Sequence, residues 1–193
     1  STRGIGLRIA RQLAAEGADI GICARSSEAV DATVRELRDL GIKAVGSVAD
    51  VTDAVAYTDW IESSARELGG LDVFVSNVSM GPTTGGEAGW RGMFEADMLG
   101  AVRGVEAALP FLRKSKAASI VLIASISGVM SKPLIAPGIL AYGAMKAALI
   151  SYGAQISKQL APEGIRVNMV SPGPIYFEGG PWDMVKQHMP VAY

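Results

Sequence analysis

The sequence predicts an α/β protein built on a doubly wound parallel sheet, with helices on both faces in three layers. Short runs rich in Val and Ile alternate with segments whose apolar residues recur at helical spacing, which is the mark of βαβ units. Hydrophobic residues make up 49% of the 193 positions and charged ones only 19%, with a mean hydropathy of +0.28. That balance fits strands buried on both faces better than an antiparallel sheet with a wet side. No repeat or linker divides the chain, and its length suits a single domain over 1–193 with a core of its own.

Taken in order, Ile5, Ile9 and Leu13 recur every four residues and define a first helix that closes at Gly17, followed by a strand from Ile20 to Ala24. Val30, Val34 and Leu37 mark a second helix that ends near Gly41, before a strand from Ala44 to Val48 and a turn from Asp50 to Asp53. Thr52 or Asp53 is the expected cap of a third helix carrying Ile61, Ala65 and Leu68 on one face. Gly69 and Gly70 end it ahead of the strand Val73 to Ser76. The Gly- and Thr-rich stretch from Gly81 to Gly89 reads as a loop, and Trp90 to Arg113 as one long helix. The strand Ile120 to Ala124 is the most strongly apolar. A Pro-interrupted loop from Ser131 to Gly138, a long helix from Leu140 to Leu160 and a strand from Ile165 to Val170 follow, and Pro172, Gly173 and Pro174 break that strand. Five strands joined through helices are expected to pair in parallel with right-handed crossovers.

Several function classes are excluded by charge and composition. Net charge is -1, with Lys and Arg dispersed, so the basic stripe that nucleic acid requires is missing. The longest apolar stretch, Ser119 to Met130, contains Ser and Gly and falls well short of the roughly 20 residues that span a bilayer. The lone Cys23 reads as a buried strand thiol, and a reducing cytoplasm is the default location. No cluster of His, Cys, Asp or Glu has metal-site spacing, so no metal is expected. His188, the only histidine, reads as a surface or lid residue.

The residues that carry chemistry lie at the ends of the predicted elements. Ser1, Thr2, Arg3, Gly4, Ile5 and Gly6 read as the end of a glycine-rich turn feeding a helix, where free N–H groups and the helix dipole attract a pyrophosphate. An ordinary tight turn is the alternative. Tyr142 and Lys146 stand four apart on a helix, so both project from one face, about 6 Å apart at Cβ. An ammonium near a phenol is expected to lower the phenol pKa from about 10 toward the range useful for acid–base work. Ser125 stands at the carboxyl end of a strand, the side of such a sheet where ligands collect, or is simply a strand-ending turn residue.

Taken together and in order, these features resemble the short-chain dehydrogenase/reductase family, and in particular its 3-oxoacyl-acyl-carrier-protein-reductase-like branch. Thr2-Arg3-Gly4-Ile5-Gly6 matches the last part of the family's glycine motif. Asp50-Val51 matches the adenine-contacting turn, and Ser76-Asn77-Val78-Ser79 stands in the place of an Asn-Asn-Ala-Gly stretch. Ser125, Tyr142 and Lys146 match the catalytic serine, tyrosine and lysine. Arg166-Val167-Asn168 and Ser171-Pro172-Gly173-Pro174-Ile175 match the strand and turn that close over nicotinamide. The resemblance covers essentially the whole chain and implies a Rossmann fold.

The departures are specific. Only Asn77 remains of the Asn-Asn-Ala-Gly stretch, and Asp97 holds the place of the family's catalytic Asn. The family Asn acts through its backbone carbonyl and a water leading to the Lys, so Asp97 is either its substitute or a plain helix residue. The Ser125-to-Tyr142 spacing is longer than usual, with Lys132 to Gly138 the expected insertion beside the pocket. Tyr176 to Trp182 forms an aromatic lid region where the family often has a Thr.

The resemblance implies hydride transfer between a nicotinamide and a carbonyl or secondary alcohol of a small molecule, with Tyr142 as general acid and base. Lys146 would lower the Tyr142 pKa and bind the nicotinamide ribose. The second strand ends Cys23-Ala24-Arg25, with no acid for a ribose 2′-hydroxyl and with Arg25, Ser26 and Ser27 available to a 2′-phosphate. NADP(H) is therefore expected over NAD(H), with Arg3 a second cation. A nucleotide-binding scaffold without turnover is the competing class, and an isomerase or dehydratase on the same scaffold a further one. A homotetramer or homodimer is implied, with Gly153 and Ala154 suited to close helix contact between subunits. The chain opens inside a turn with no initiator Met or leader, and relatives continue further, so a preceding first strand and a following last strand are expected to be missing.

Overall fold

A computed structural model describes residues 1–81, 85–130 and 138–188. Helix α1 spans Gly4–Ala15, β1 Ile20–Ala24, α2 Ser27–Arg38, β2 Ala44–Val48 and α3 Ala54–Leu68. Strand β3 follows at Val73–Ser76, then α4 at Gly86–Met93, a π-helical segment at Phe94–Leu99 and α5 at Gly100–Leu112. The second half holds β4 (Ser119–Ile123), a 3₁₀ turn at Ile126–Gly128, α6 (Ile139–Leu160), a 3₁₀ turn at Ala161–Glu163, β5 (Arg166–Val170) and α7 (Pro181–His188). Caps appear where the side-chain chemistry placed them. Ser26 accepts from Ala29 N, and Asp53, rather than Thr52, accepts from Val55 and Ala56 N–H at 3.1 and 3.0 Å. Gly69 ends α3 in the left-handed region, at φ 86°.

All pairings are parallel. Strand β1 runs beside β2 from Ile20↔Ala44 to Ala24↔Val48, while β4 lies between β3 and β5. Among the described residues the five strands form two sheets, ordered β1-β2 and β3-β4-β5, where one continuous sheet was expected. The chain advances outward from β1 to β2, then returns to build β3, β4 and β5. Open α/β sheets of this kind bind ligands at the carboxyl ends of their strands, near the point where the strand order reverses.

Alternation along β1 separates the layers. Ile20 and Ile22 join Ala10, Ala14, Val30, Val34 and Leu37 in a core beneath α1 and α2. Gly21 faces the other way, 3.3 Å from Ser64 of α3 at the position a Cβ would take. Cys23 joins a larger core with Tyr57, Ile61, Phe74, Val105, Ile120, Leu122 and Leu149, which α3, α5 and α6 share with β3 and β4. Cys23 is buried, and that burial pushes its thiol pKa up to about 11.

Three readings from the sequence are corrected. The predicted helix from Trp90 to Arg113 begins earlier, at Gly86, and is interrupted by the π-helical turn, because an inserted residue leaves no trace in helical periodicity. Of the predicted Gly81 to Gly89 loop, 82–84 lie outside the described residues and Gly86 to Gly89 are helical. Gly153 does not serve an outer helix contact. A Cβ there would lie 2.5 Å from Met169 Sδ, so the glycine lets α6 settle on β5. Residues 132–137 of the expected insertion lie outside the described residues, and Gly138 is the N-cap of α6 at φ 81°. No helix among the described residues is long and apolar enough to cross a membrane.

Gly46 on β2 packs as closely under α2, where a Cβ would meet Val30 and Val34 methyls at 2.6 and 2.7 Å. Gly46→Ala is expected to destabilise the fold by about 1–3 kcal/mol through overpacking, read as a lower midpoint in thermal unfolding.

Candidate active site

The carboxyl ends of β3, β4 and β5 meet α6 and the π-helical turn in one place. The β4–β5 ladder continues one step past β4, with Ala124 N–H donating to Val170 O at 2.8 Å and Ile126 N–H to Pro172 O at 3.0 Å. Those bonds tie the turn after β4 to the Pro172-Gly173 turn after β5. Ser125, 7% exposed, leads the 3₁₀ turn and accepts from Ser127 N–H at 3.2 Å.

Two glycines dock this turn on α6. A Cβ at Gly128 would lie 2.8 Å from Ala147 N and from Lys146 C, and one at Gly143 would lie 2.8 Å from Ser127 O. Backbone therefore approaches backbone at both positions, which a side chain would prevent. The sequence reading missed these two residues; their only signal is a glycine three positions after Ser125 and another immediately after Tyr142.

As a result the Ser125 hydroxyl stands where it acts on the Tyr142 phenol, favouring its ionised form. Lys146 is 2% exposed, donates to Ile123 O at 3.2 Å and forms an ion pair with Asp97 Oδ1 at 3.2 Å. Its Nζ stands 5.7 Å from the centre of the Tyr142 ring. Asp97, 2% exposed, sits in the π-helical turn. Its Oδ1 also accepts from Ser79 Oγ at 2.6 Å and its Oδ2 from Met80 N–H at 2.8 Å. The ion pair brings a carboxylate into the site, and Ser79, an apparent departure from the motif, becomes its hydrogen-bond partner. Asp97 is thus no plain helix residue.

The phenol departs from expectation. Burial is the largest influence on Tyr142 and raises its pKa; the Ser125 hydroxyl pulls it down, and the Asp97 charge raises it again. The expected lowering by Lys146 is not what the geometry produces, because the ammonium faces a carboxylate of opposite charge at hydrogen-bond distance.

A second group of residues gathers at the glycine turn that opens α1 and after β1 and β2. Arg3 caps α1 with extended backbone and no side-chain cap bond, Gly4 has φ 56°, and Gly6 is buried. Thr2 and Ile5 flank them, half-buried. Asn77, just past β3, packs on this turn so tightly that a Cβ at Gly6 would lie 2.6 Å from its Nδ2. Arg25 follows β1 with its side chain 80% exposed, 4.0 Å from Asp50 Oδ2. The Thr52 N–H and hydroxyl hold the Asp50 carboxyl below its ordinary range. Val51 turns its side chain into the core, while Ile175 is exposed beyond the Pro172-Gly173 turn. The uncapped helix start and close backbone fit a pyrophosphate, and exposed Arg25 fits a phosphate at the far end.

The predicted lid is ordered around Asp183, which accepts from Gly179 N–H at 2.9 Å, Gln187 Nε2 at 3.0 Å and the Tyr176 hydroxyl at 3.2 Å. Sequence reasoning missed Phe177, whose ring packs on the glycine turn, 2.9 Å from where a Gly4 Cβ would stand. His188 is exposed on α7, its ring Nδ1 3.0 Å from Met184 O. Among the described residues no group of His, Cys, Asp or Glu is arranged to hold a metal.

Comparison with known proteins agrees with this architecture. The family model described as short chain dehydrogenase matches residues 1–179. The isoepoxydon dehydrogenase patN of Aspergillus clavatus is 37% identical over 98% of this chain and 73% of its own length. Dehydrogenase/reductase SDR family member 4 of Rattus norvegicus is 30% identical over 99% of this chain and 72% of its own. Among solved structures, a 3-ketoacyl-ACP reductase from Sinorhizobium meliloti superposes with a TM-score of 0.83 at 28% identity, over 91% of this chain and 70% of that one. An NAD+-bound xylitol dehydrogenase does so at 0.82 and 28%, over 89% and 66%. The chain belongs to the short-chain dehydrogenase family, with its Rossmann fold, and is an oxidoreductase acting on CH–OH groups. That family binds NAD(P)(H).

Ser125 lowers the phenol pKa, so its loss raises it. In Ser125→Ala the alkaline midpoint of Tyr142, followed by tyrosinate absorbance against a Tyr142→Phe background, is expected to move to higher pH. Gly128→Ala, which pushes the turn off α6, is expected to move it the same way.

Proposed function

We propose that this chain is an NADP(H)-dependent oxidoreductase that interconverts a carbonyl and a secondary alcohol on a small molecule, with Tyr142 as the proton-transfer residue. The observation that carries the reading is the convergence at one place of Ser125, which acts on the Tyr142 phenol, and the buried Lys146 ammonium, 5.7 Å from the Tyr142 ring centre. Ser125 orients and polarises the substrate oxygen. When bound, the nicotinamide would supply the hydride for the substrate carbon. Tyr142 gives its phenolic proton to the oxygen that becomes the hydroxyl and is left as phenolate; in oxidation it takes that proton back. Lys146, paired with Asp97 and with its Nζ 5.7 Å from the Tyr142 ring centre, would bind the nicotinamide ribose.

Thr2, Arg3, Gly4, Ile5, Gly6 and Asn77 line the phosphate side of the crevice. Asp50 and Val51 flank the adenine, while Pro172, Gly173 and Ile175 close over the nicotinamide. The preference for NADP(H) over NAD(H) rests on exposed Arg25, with Ala24 where an acid would bind a ribose 2′-hydroxyl. A cytoplasmic location fits the lone buried thiol of Cys23. A homodimer or homotetramer is the assembly, and neither nucleic acid nor membrane is a partner.

Tyr142→Phe is expected to abolish turnover of NADPH over a panel of ketones while leaving NADPH affinity within about twofold; retained turnover refutes the scheme. Arg25→Asp is expected to weaken NADPH binding at least tenfold and to leave NADH nearly unchanged. NADH binding as tightly as NADPH in the parent, with no response to Arg25→Asp, refutes the cofactor assignment.

A further inference from the structure

We propose that Asp97 is a positioning residue and resident counter-ion: by pairing with Lys146 it keeps Tyr142 in its protonated, proton-donating form and so biases the site toward carbonyl reduction. The inference rests on the reading of Tyr142 as the proton-transfer residue.

The geometry is specific. Asp97 and Lys146 are each 2% exposed and lie 3.2 Å apart. Water does not screen a pair so deeply buried, and each charge largely cancels the other's field at the phenol. Asp97 is held from three sides, by Ser79 Oγ, Met80 N–H and Lys146. The π-helical turn sets its direction, and widened turns of this kind recur at functional sites.

Other charged groups on the neighbouring elements are committed elsewhere. Glu95, in the same turn, pairs with Arg103 at 2.6 Å, and Glu87 and Arg91 of α4 pair with each other, both largely exposed. Among the described residues, the turn after β4 acts on the phenol through the neutral hydroxyl of Ser125. An amide at position 97 would keep the hydrogen-bonding shape and remove the negative charge. Lys146 would then act on the phenol uncompensated.

The consequence is directional. A reductase needs its tyrosine protonated, while alcohol oxidation needs the phenolate. With the counter-ion present the phenol stays above its ordinary range, through burial first and the Asp97 charge besides. Reduction is therefore served at neutral pH, and oxidation is reserved for alkaline pH.

The test is an alkaline titration of Tyr142 in the NADPH-bound protein, followed by tyrosinate absorbance with Tyr142→Phe as the blank. In Asp97→Asn the midpoint is expected to fall by about one pH unit or more, a tenfold change in proton affinity. The rising limb of alcohol oxidation against pH is expected to move down with it, and Asp97→Glu to restore the parent profile. Ser79→Ala leaves the ion pair intact but removes a donor that tempers the carboxylate. It is expected to move the midpoint up, and serves if Asp97→Asn does not fold. An unmoved midpoint in whichever of Asp97→Asn or Ser79→Ala folds overturns the proposal. Because the titration requires no turnover, failure of Tyr142→Phe to abolish activity would refute the functional reading separately.

Discussion

The buried ion pair between Lys146 and Asp97 is the interaction on which the arrangement of this site depends. An unpaired ammonium at 2% exposure is prohibitive, and removing one partner of a buried pair costs on the order of 3–5 kcal/mol. Lys146 also donates to Ile123 O at the end of β4. One side chain thus joins α6, the central strand β4 and the π-helical turn, and through Asp97 the segment after β3. Four elements converge because one charge has to be satisfied.

Close backbone packing does the rest. Gly128 and Gly143 let the turn after β4 rest directly on α6, which is how a serine at the strand end reaches a tyrosine on a helix. The same device recurs where Gly46 admits α2 onto β2 and Gly153 admits α6 onto β5. At the glycine turn, Gly6 accommodates Asn77 and Gly4 accommodates the Phe177 ring, so residues from three distant parts of the sequence bound one crevice. At each of these positions the glycine leaves the space that a neighbour fills.

Electrostatics then separate two roles that the sequence merges. A tyrosine four residues before a lysine suggests a phenol made acidic by its neighbour. The folded protein places the lysine against a carboxylate and half-buries the phenol, and that burial is the largest influence on it. The family's amide position, occupied here by an acid, is where this member differs in charge while keeping the same framework.

Much was legible from one dimension. The alternation of strands and helices, the Asp53 cap, the glycine turn and the set Ser125, Tyr142 and Lys146 all follow from local periodicity, capping chemistry and motif order, because those signals depend on near neighbours in the chain. The π-helical turn at Phe94–Leu99 was not legible, since a single widened turn preserves the apolar pattern around it. Nor was the direction of the Tyr142 pKa or the contact of Phe177 with Gly4. Each of these is decided by residues far apart in sequence that meet only when the chain is folded. The sequence by itself determined which chemical groups are present and on which elements they ride; the tertiary structure decided which charge faces which, because burial and distance set electrostatics.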